Sequence, residues 1–455
     1  MFIHFVDIPV YDIFIGLSLL VLLISRKTIP LVYKFCKYHV LRVLLYYTIW
    51  IIISGAILVI YGKFSLVTYL SSIFLLFIFN NLSWYIYPLL ISPRFFSLKF
   101  LIKIIIVAIY LICSYGLIEY FLHNILHLNI LEPVQHILAG RRYYLIDNFQ
   151  PVDSRLYSVF EEPGYLGGFI CINLPIIFNV IFSKYKILKN NILNMILKKS
   201  YIPIIFLTTI ALKSPIWLLL IILTTVIYFK KKILKYIPIV VITSMMLLSL
   251  LCLPLQKFNL SSTFINRIFI VSKNLRNFSN LVTEEASLAT RLTCYAVRFS
   301  IFLKYPFTGI GYRNIETSTY YDTFIGIDIP LTQEIHKNII YNKSFKNISG
   351  AIFWNALSDT GLIGTILFYL FLVLSIKKIN IISRMIQNSL QKQFMLGVKN
   401  SYIMIILLSI YDIRSNIAYL WFLLGLTLSF IQYYNLYYKR YNRICTNIGV
   451  SIESN

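Results

Sequence analysis

The segment that organises this chain reads Arg155-Leu-Tyr-Ser158-Val-Phe-Glu161-Glu162-Pro163-Gly164-Tyr-Leu-Gly167-Gly168, and an apolar span follows directly from about Phe169. Ionisable side chains are costly to keep at the mouth of a membrane helix, so those found there are functional candidates by default. The segment therefore predicts a membrane helix over about 164–183, with an arginine and two carboxylates beside its start.

Composition assigns the chain as a whole to the membrane. Of its 455 residues, 58% are hydrophobic and only 13% are charged, and the mean hydropathy is +0.76. A soluble protein of this length cannot cover so much apolar surface, so we expect an all-α polytopic membrane protein. Its six cysteines are scattered singly, which indicates neither a disulfide framework nor a zinc knuckle.

The formal charge of +25 reflects topology rather than nucleic-acid binding. Five hydrophilic breaks hold 22 Lys and Arg residues and no Asp or Glu, namely 26–42, 92–103, 184–199, 230–235 and 377–399. Loops with this bias lie in the cytoplasm under the positive-inside rule. We therefore expect these breaks and the C-terminal tail to be cytoplasmic, and we expect no nucleic-acid partner.

With those loops inside, the apolar segments predict about 11 membrane helices, and the sequence is compatible with 10–12. Only about thirty residues separate 184–199 from 230–235, where two full crossings need ~40 residues. Two short crossings or one re-entrant hairpin are therefore expected there, with a break at Lys213-Ser214-Pro215. The predicted helices are at about 8–25, 43–61, 65–91, 100–122, 164–183, 201–212, 215–229, 233–255, 352–375, 400–412 and 415–436.

Two predicted extracytoplasmic loops are large enough to carry a site. The larger, 256–350, has eleven Lys and Arg against six acids. Its arginines form scattered solvated pairs, or a few of them face an anionic substrate, because the guanidinium fork suits phosphate. The predicted organisation is N-terminal helices (1–122), a first extracytoplasmic loop (123–163), central helices (164–255), the large extracytoplasmic loop (256–350), C-terminal helices (351–436) and a cytoplasmic tail (437–455).

Four blocks within roughly 150–375 resemble, in order, the O-antigen polymerase and O-antigen ligase superfamily. They are Arg155-x-x-Ser158-x-x-x-Glu162-Pro163-x-x-x-Gly167; Ala211-Leu-Lys213-Ser214-Pro-Ile-Trp217; Arg291-Leu-Thr-Cys-Tyr-Ala-Val-Arg298 with Tyr305-Pro306-Phe-Thr-Gly309-Ile-Gly311-Tyr-Arg313-Asn314; and Trp354-Asn355-Ala-Leu-Ser-Asp359-Thr-Gly361-Leu-Ile-Gly364.

This resemblance implies an inverting glycosyltransferase of the membrane-embedded, class C-like kind, with no metal or other cofactor. The implied donor is a glycan linked through pyrophosphate to a polyprenol in the lipid bilayer. The acceptor is another lipid-linked repeat unit in a polymerase, and the lipid A core in a ligase. It also implies work on the extracytoplasmic face of the bacterial inner membrane and a polysaccharide chain-length regulator as a partner.

The chemistry of this reaction suggests roles for residues in the four blocks. Negative charge builds on the leaving pyrophosphate, and fixed arginines stabilise it; this favours Arg155 and Arg291 as catalytic residues. Glu162 is the leading candidate for the base that accepts the proton of the acceptor hydroxyl. The alternative for Glu162-Pro163 is a helix start, which both residue types favour. The residues expected to bind substrate are Lys213, Arg313, Glu161, Asn355 and Asp359.

Three alternatives remain. Ligases of the superfamily carry a His directly before the Asn of the last block, where this chain has Trp354, which favours a polymerase. A lipid-linked oligosaccharide flippase or another secondary transporter is the competing class, because transporters also use broken helices and membrane charges. Glu119, His123 and His127 share a helix face at zinc-compatible spacing. Their helix is expected to end near His123, so we predict no metal site.

Overall fold

A computed structural model describes residues 39–81, 98–124, 126, 163–181, 187, 190–212, 286–312, 314, 351–386 and 389–410. Within these ranges every regular element is an α-helix and no strand occurs. The helices there are α1 (His39–Ile60), α2 (Leu66–Asn81), α3 (Leu98–Asn124), α4 (Pro163–Ile181), α5 (Asn191–Ala211), α6 (Ala286–Lys304), α7 (Ile352–Met385) and α8 (Ser389–Ser409).

Four of these helices are long and apolar enough to cross a membrane. Their candidate spans are Arg42–Ile60 in α1, Ile102–Leu122 in α3, Asn191–Ala211 in α5 and Ile352–Arg384 in α7. This confirms a helical, membrane-integral protein, while the count of 11 crossings stays a prediction. The helices predicted at 8–25, 215–229, 233–255 and 415–436 lie outside the described residues.

Two predicted cytoplasmic breaks are mostly helical, which corrects the sequence-based boundaries. α5 begins at Asn191 rather than near 201, so it includes Lys198 and Lys199 and is a full span of 21 residues. The side chain of Asn190 caps it by accepting hydrogen bonds from the backbone N–H groups two and three residues further along the chain. Lysine favours the helical conformation, and its long side chain lets the ammonium group reach water. A basic segment between apolar segments can therefore be part of a helix.

The other corrected break is 377–399. α7 ends only at Met385 and α8 begins at Ser389, so almost the whole break is helical. The predicted helices 352–375 and 400–412 were therefore too short at the ends that adjoin this break. α6 in turn lies within the predicted large loop, where no helix was predicted.

α4 is the central helix of the described bundle. Every residue from 166 to 181 is buried, which a helix reaches only when neighbours surround it. Its closest neighbour is α8, because Gly397 has no side chain: a Cβ there would lie 2.6 Å from the Ile176 Cα. Ser401 Oγ donates to the Ile172 carbonyl at the same contact, at 2.5 Å. Small residues allow this backbone approach between membrane helices.

The remaining helices pack in pairs around this centre. α3 and α5 meet where Tyr201 donates its hydroxyl hydrogen to the Ile106 carbonyl, at 2.8 Å. α1 packs on α7, with the rings of Tyr47 and Phe368 centred 5.4 Å apart. α6 packs against the first part of α7, and this contact positions the candidate site.

Candidate functional site

α7 is broken at Gly361, inside the last of the four sequence blocks. Gly361 has φ 66° and ψ −169°, while helix continues on both sides of it. A Cβ at this position would overlap the backbone of Phe307, and the positive φ disfavours any side chain. The break also interrupts the helical hydrogen bonding of α7, so groups from other elements must satisfy the backbone there.

Residues 306–311 supply most of those partners, and we call this segment the docked turn. The backbone N–H groups of Ile310 and Gly311 donate to the carbonyls of Ser358 and Asp359, both at 2.9 Å. In the other direction Leu362 N donates to the Pro306 carbonyl at 2.8 Å. The Pro-x-x-Gly-x-Gly segment of the predicted large loop is therefore hydrogen-bonded to the broken helix.

Gly309 and Trp50 complete the fit around the break. Gly309 has φ 64°, and a Cβ there would lie 2.5 Å from the Ser358 carbonyl oxygen, so the docked turn also requires glycine. Trp50 of α1 donates its indole N–H to the Thr360 carbonyl at 2.9 Å. Three successive carbonyls before the break, 358–360, are thus each bonded by another element.

A buried ion pair lies at the same turn of α7. Arg298 Nη1 of α6 is 3.0 Å from Asp359 Oδ1, and the two side chains are only 4% and 7% exposed. The same Nη1 donates to Ser358 Oγ at 2.7 Å, and Ser358 Oγ lies 2.9 Å from Asp359 Oδ1. Because Ser358 can accept from the guanidinium and donate to the carboxylate, the three side chains form a closed network. Charges at this depth persist only when paired and hydrogen-bonded.

Two buried polar atoms beside this network have no hydrogen-bond partner among the described residues. They are Nε of Arg298, a donor, and Oδ1 of Asn355, an acceptor. Asn355 lies one helical turn before Asp359, so the two share a face of α7. Unsatisfied buried polar atoms are rare in folded proteins, so their presence beside a charged centre favours a functional role for it.

The sequence of α6 explains how Arg298 reaches α7. Cys294, Val297, Arg298 and Ile301 are buried and follow the i, i+3, i+4, i+7 pattern of one helix face. Arg291, the arginine predicted to be catalytic, lies seven residues before Arg298 on this face and is half-buried. The face that packs on α7 therefore carries both arginines.

Trp354 of α7 contacts α6 and the residue that follows α8, and its indole is not a titratable group. Its ring stacks on Tyr295 of α6 at 5.4 Å between centroids, with the edge-on ring of Phe299 at 6.3 Å. Its indole N–H donates to the carbonyl of Ile410, directly after α8, at 3.0 Å. At the position where the ligases that this sequence resembles carry His, this chain thus has a packed donor that cannot accept a proton.

The structure brings three of the eight predicted site residues into one region. Asn355 and Asp359 lie on one face of α7, and Arg291 lies on the α6 face packed against it. Asp359 is engaged in the buried pair with Arg298 rather than exposed to solvent. The other five predicted residues lie outside the described part of the chain: Arg155, Glu161, Glu162, Lys213 and Arg313.

Sequence reasoning missed Arg298 as a member of the centre. Arg298 lies in the third block, in which Arg291 is the residue predicted to be catalytic. The available signal was its place on the apolar stripe of α6, where a charge requires a buried partner. Within the described ranges, no three His, Cys, Asp or Glu side chains cluster as a metal site would require; His127 lies outside these ranges.

The comparisons with known proteins concern this same region. No curated protein matches the chain. A family model described as O-antigen ligase (Wzy_C) matches residues 204–369, a little over a third of the chain. The matched segment contains α6, the docked turn and the break of α7. It supports the O-antigen ligase and polymerase superfamily, whose members transfer glycans in O-antigen assembly.

Proposed function

We propose that this protein polymerises lipid-linked polysaccharide repeat units on the extracytoplasmic face of the bacterial inner membrane. It transfers the growing glycan from polyprenyl pyrophosphate to the next lipid-linked unit of an O-antigen, capsule or exopolysaccharide. One observation carries this proposal: the segment that matches the glycan-transferring family is also the segment that builds the Arg298–Asp359 centre.

The reaction assigns a role to each predicted residue. The acceptor hydroxyl attacks the anomeric carbon of the donor, its proton passes to Glu162, and the bond to pyrophosphate breaks with inversion. Arg155 and Arg291 stabilise the charge that builds on the leaving pyrophosphate, which stays on its polyprenol. Lys213 and Arg313 bind the phosphates, while Glu161 and Asn355 orient the sugars. This scheme needs no metal, because the cationic side chains supply the positive charge.

Asp359 has a different role from the one expected of an exposed substrate ligand. Its carboxylate is held by Arg298 and Ser358, and Asn355 lies one turn away. We therefore assign it the positioning of Asn355 and of the docked turn, with Arg298 as its partner.

Trp354 favours a polymerase over a ligase. The ligases that this chain resembles carry a His at this position, and an indole cannot replace it as a base. The surrounding rings of Tyr295 and Phe299 give Trp354 a packing role instead. The matching family model is described as O-antigen ligase, so a ligase is the second candidate, and it differs only in its acceptor.

Deletion of the gene in its host distinguishes these functions. We expect the surface glycan to collapse to a single repeat unit, with full length restored by complementation. Full-length polymer that stays on polyprenol would identify a ligase. Repeat units trapped on the cytoplasmic face would identify a flippase, and an unchanged glycan would contradict the whole proposal.

A further inference from the structure

Two opposite faces of α6 are apolar. Val297 and Ile301 belong to the buried face that packs on α7. Phe299 and Leu303 each follow one of them by two positions, or about 200° around a helix, and so lie on the opposite side. These two residues are 44% and 63% exposed. A helix at the surface of a soluble domain has polar side chains opposite its packed face, so the second apolar face of α6 requires an apolar environment.

The second apolar face continues along α6. Leu292 and Ala296 precede Phe299 and Leu303 at helical spacing, and both are partly exposed. The ring of Phe302 is centred 6.1 Å from the ring of Phe299 and widens the face. We call these five residues the outer face of α6, and none of them has a polar or charged side chain. A contiguous apolar surface of this kind marks a contact with protein or with membrane.

The outer face adjoins the exposed apolar surface of the α7 span. Phe307 of the docked turn, four residues after Leu303, is 64% exposed, and its backbone packs directly against Gly361. The next residue of α7, Leu362, donates its N–H to the docked turn and has an exposed side chain. Ile366, one helical turn further along α7, is exposed as well. The exposed apolar side chains of α6, the docked turn and α7 therefore form neighbouring parts of one surface.

The length of α7 places this surface at the edge of the hydrocarbon layer. The apolar run of α7 ends at Lys377 and Lys378, and lysine side chains favour the boundary of a membrane. A membrane crossing takes ~20 residues, so the layer that ends at Lys377 extends back to about Leu357. Gly361 and the docked turn bonded around it lie within this limit. α6, which packs on the first part of α7, therefore lies beside the same edge.

We propose that the outer face of α6 and the side chain of Phe307 insert among the acyl chains of the bilayer leaflet nearest the start of α7. α6 then has one face on α7 and the other in lipid, as amphipathic helices at membrane surfaces do, instead of lying in water within a soluble loop. Lipid is the partner because the outer face adjoins the exposed surface of a candidate span, which lipid covers. This inference does not depend on the proposed transferase activity.

Photolabelling of the full wild-type chain in phosphatidylcholine nanodiscs tests this placement. One reagent is a phosphatidylcholine with a diazirine on its acyl chain, the other is a water-soluble diazirine, and labelled residues are identified by mass spectrometry. We expect the lipid reagent to label Phe299, Leu303 and Phe307 within about threefold of its yield on the exposed residues of 362–370. The water-soluble reagent should label these three residues about tenfold less than it labels 389–392, at the start of α8.

Two matched variants test whether the apolar side chains cause the insertion. Leu303→Glu puts a carboxylate on the outer face and should lower lipid labelling of Phe299 and Phe307 about fivefold. Lys304→Glu puts one at the next residue, outside the outer face, and should leave that labelling unchanged. The proposal is overturned if the water-soluble reagent labels Phe299 and Phe307 as strongly as 389–392, or if Leu303→Glu labels like wild type. It is also overturned if neither reagent labels them, as expected of a face covered by a second copy of the chain.

Discussion

Arg298 and Asp359 are 61 residues apart in the sequence, and their side chains meet at 3.0 Å in a buried ion pair. Arg298→Met or Asp359→Leu alone leaves a buried charge without its partner, which costs about 3–5 kcal/mol of unfolding free energy. We expect each single variant to lower the unfolding temperature in detergent and the amount of protein in the membrane.

The double variant separates stability from function. Arg298→Met with Asp359→Leu removes both charges together, and replacing a buried pair by apolar side chains is often neutral or stabilising. We expect the double variant to regain stability but not polymer formation. If it makes polymer of normal length, the pair is a packing device only and our assignment of a positioning role is wrong.

The break in α7 predicts a glycine-specific effect. Gly361→Ala adds a Cβ that overlaps the Phe307 backbone and forces alanine into φ 66°. Gly62→Ala is the control for a positive φ in open space, because Gly62 has φ 67° with nothing within 4 Å of its Cβ position. The control substitution should lower the free energy of unfolding by about 1–2 kcal/mol, from the backbone conformation alone. Gly361→Ala should lower the free energy of unfolding by about 1–3 kcal/mol more, because the added Cβ overpacks the contact. If thermal unfolding shows equal losses of stability for the two variants, the contact between the docked turn and α7 is wrong.

Trp354 is predicted to act through packing. Trp354→Phe keeps an aromatic ring against Tyr295 but removes the donor to the Ile410 carbonyl. We expect a loss of about 0.5–1.5 kcal/mol in stability, as for one hydrogen bond, with polymer length unchanged. Loss of polymer at wild-type stability would give Trp354 a direct role in the reaction.

Arg291 is predicted to contact phosphate through two nitrogens. Arg291→Lys keeps the charge but loses the planar fork, so polymerisation should slow about tenfold or more. Arg384→Lys is the control, since Arg384 is exposed near the far end of α7. Polymer assays on membranes with matched protein levels measure both, and equal rates for the two variants would remove Arg291 from the site.

The two adjacent glutamates provide their own comparison. Glu162→Gln removes the proposed base and should slow polymerisation by about 10²–10⁴-fold, the usual contribution of general base catalysis. Glu161→Gln should have a smaller effect, because its predicted role is to orient sugar. The reverse order, measured at equal protein level, would exchange their assignments.

The class of fold was predictable from the sequence because it depends on composition, whereas helix ends were not. Apolar runs identify a span, but Lys198 and Lys199 mark a boundary only if lysine ends a helix, and in α5 it does not. The helix predicted at 352–375 ended too early for the same reason, since α7 continues through Lys377 and Lys378 to Met385. Helix ends depend on caps such as Asn190 and on neighbouring helices, which a hydropathy pattern does not contain.

The site was predictable in part. Asp359 and Asn355 were singled out, and Gly309, Gly311 and Gly361 were noted in the blocks, but their contact was not foreseen. Sequence spacing does not reveal that the docked turn fills the break of α7, since the two are some fifty residues apart. Arg298 was overlooked because an exposed role was assumed for arginines of a loop, whereas this one lies on a buried helix face.

Reconstitution of the purified protein tests the central claim most directly. Lipid-linked single repeat units, extracted from a strain that lacks this gene, are incubated with the protein in liposomes, and the products are sized by gel electrophoresis. We predict a ladder of polyprenol-linked glycans that grows by one repeat unit per step. Recovery of single units alone from folded protein, or transfer only to added lipid A core, would contradict the polymerase.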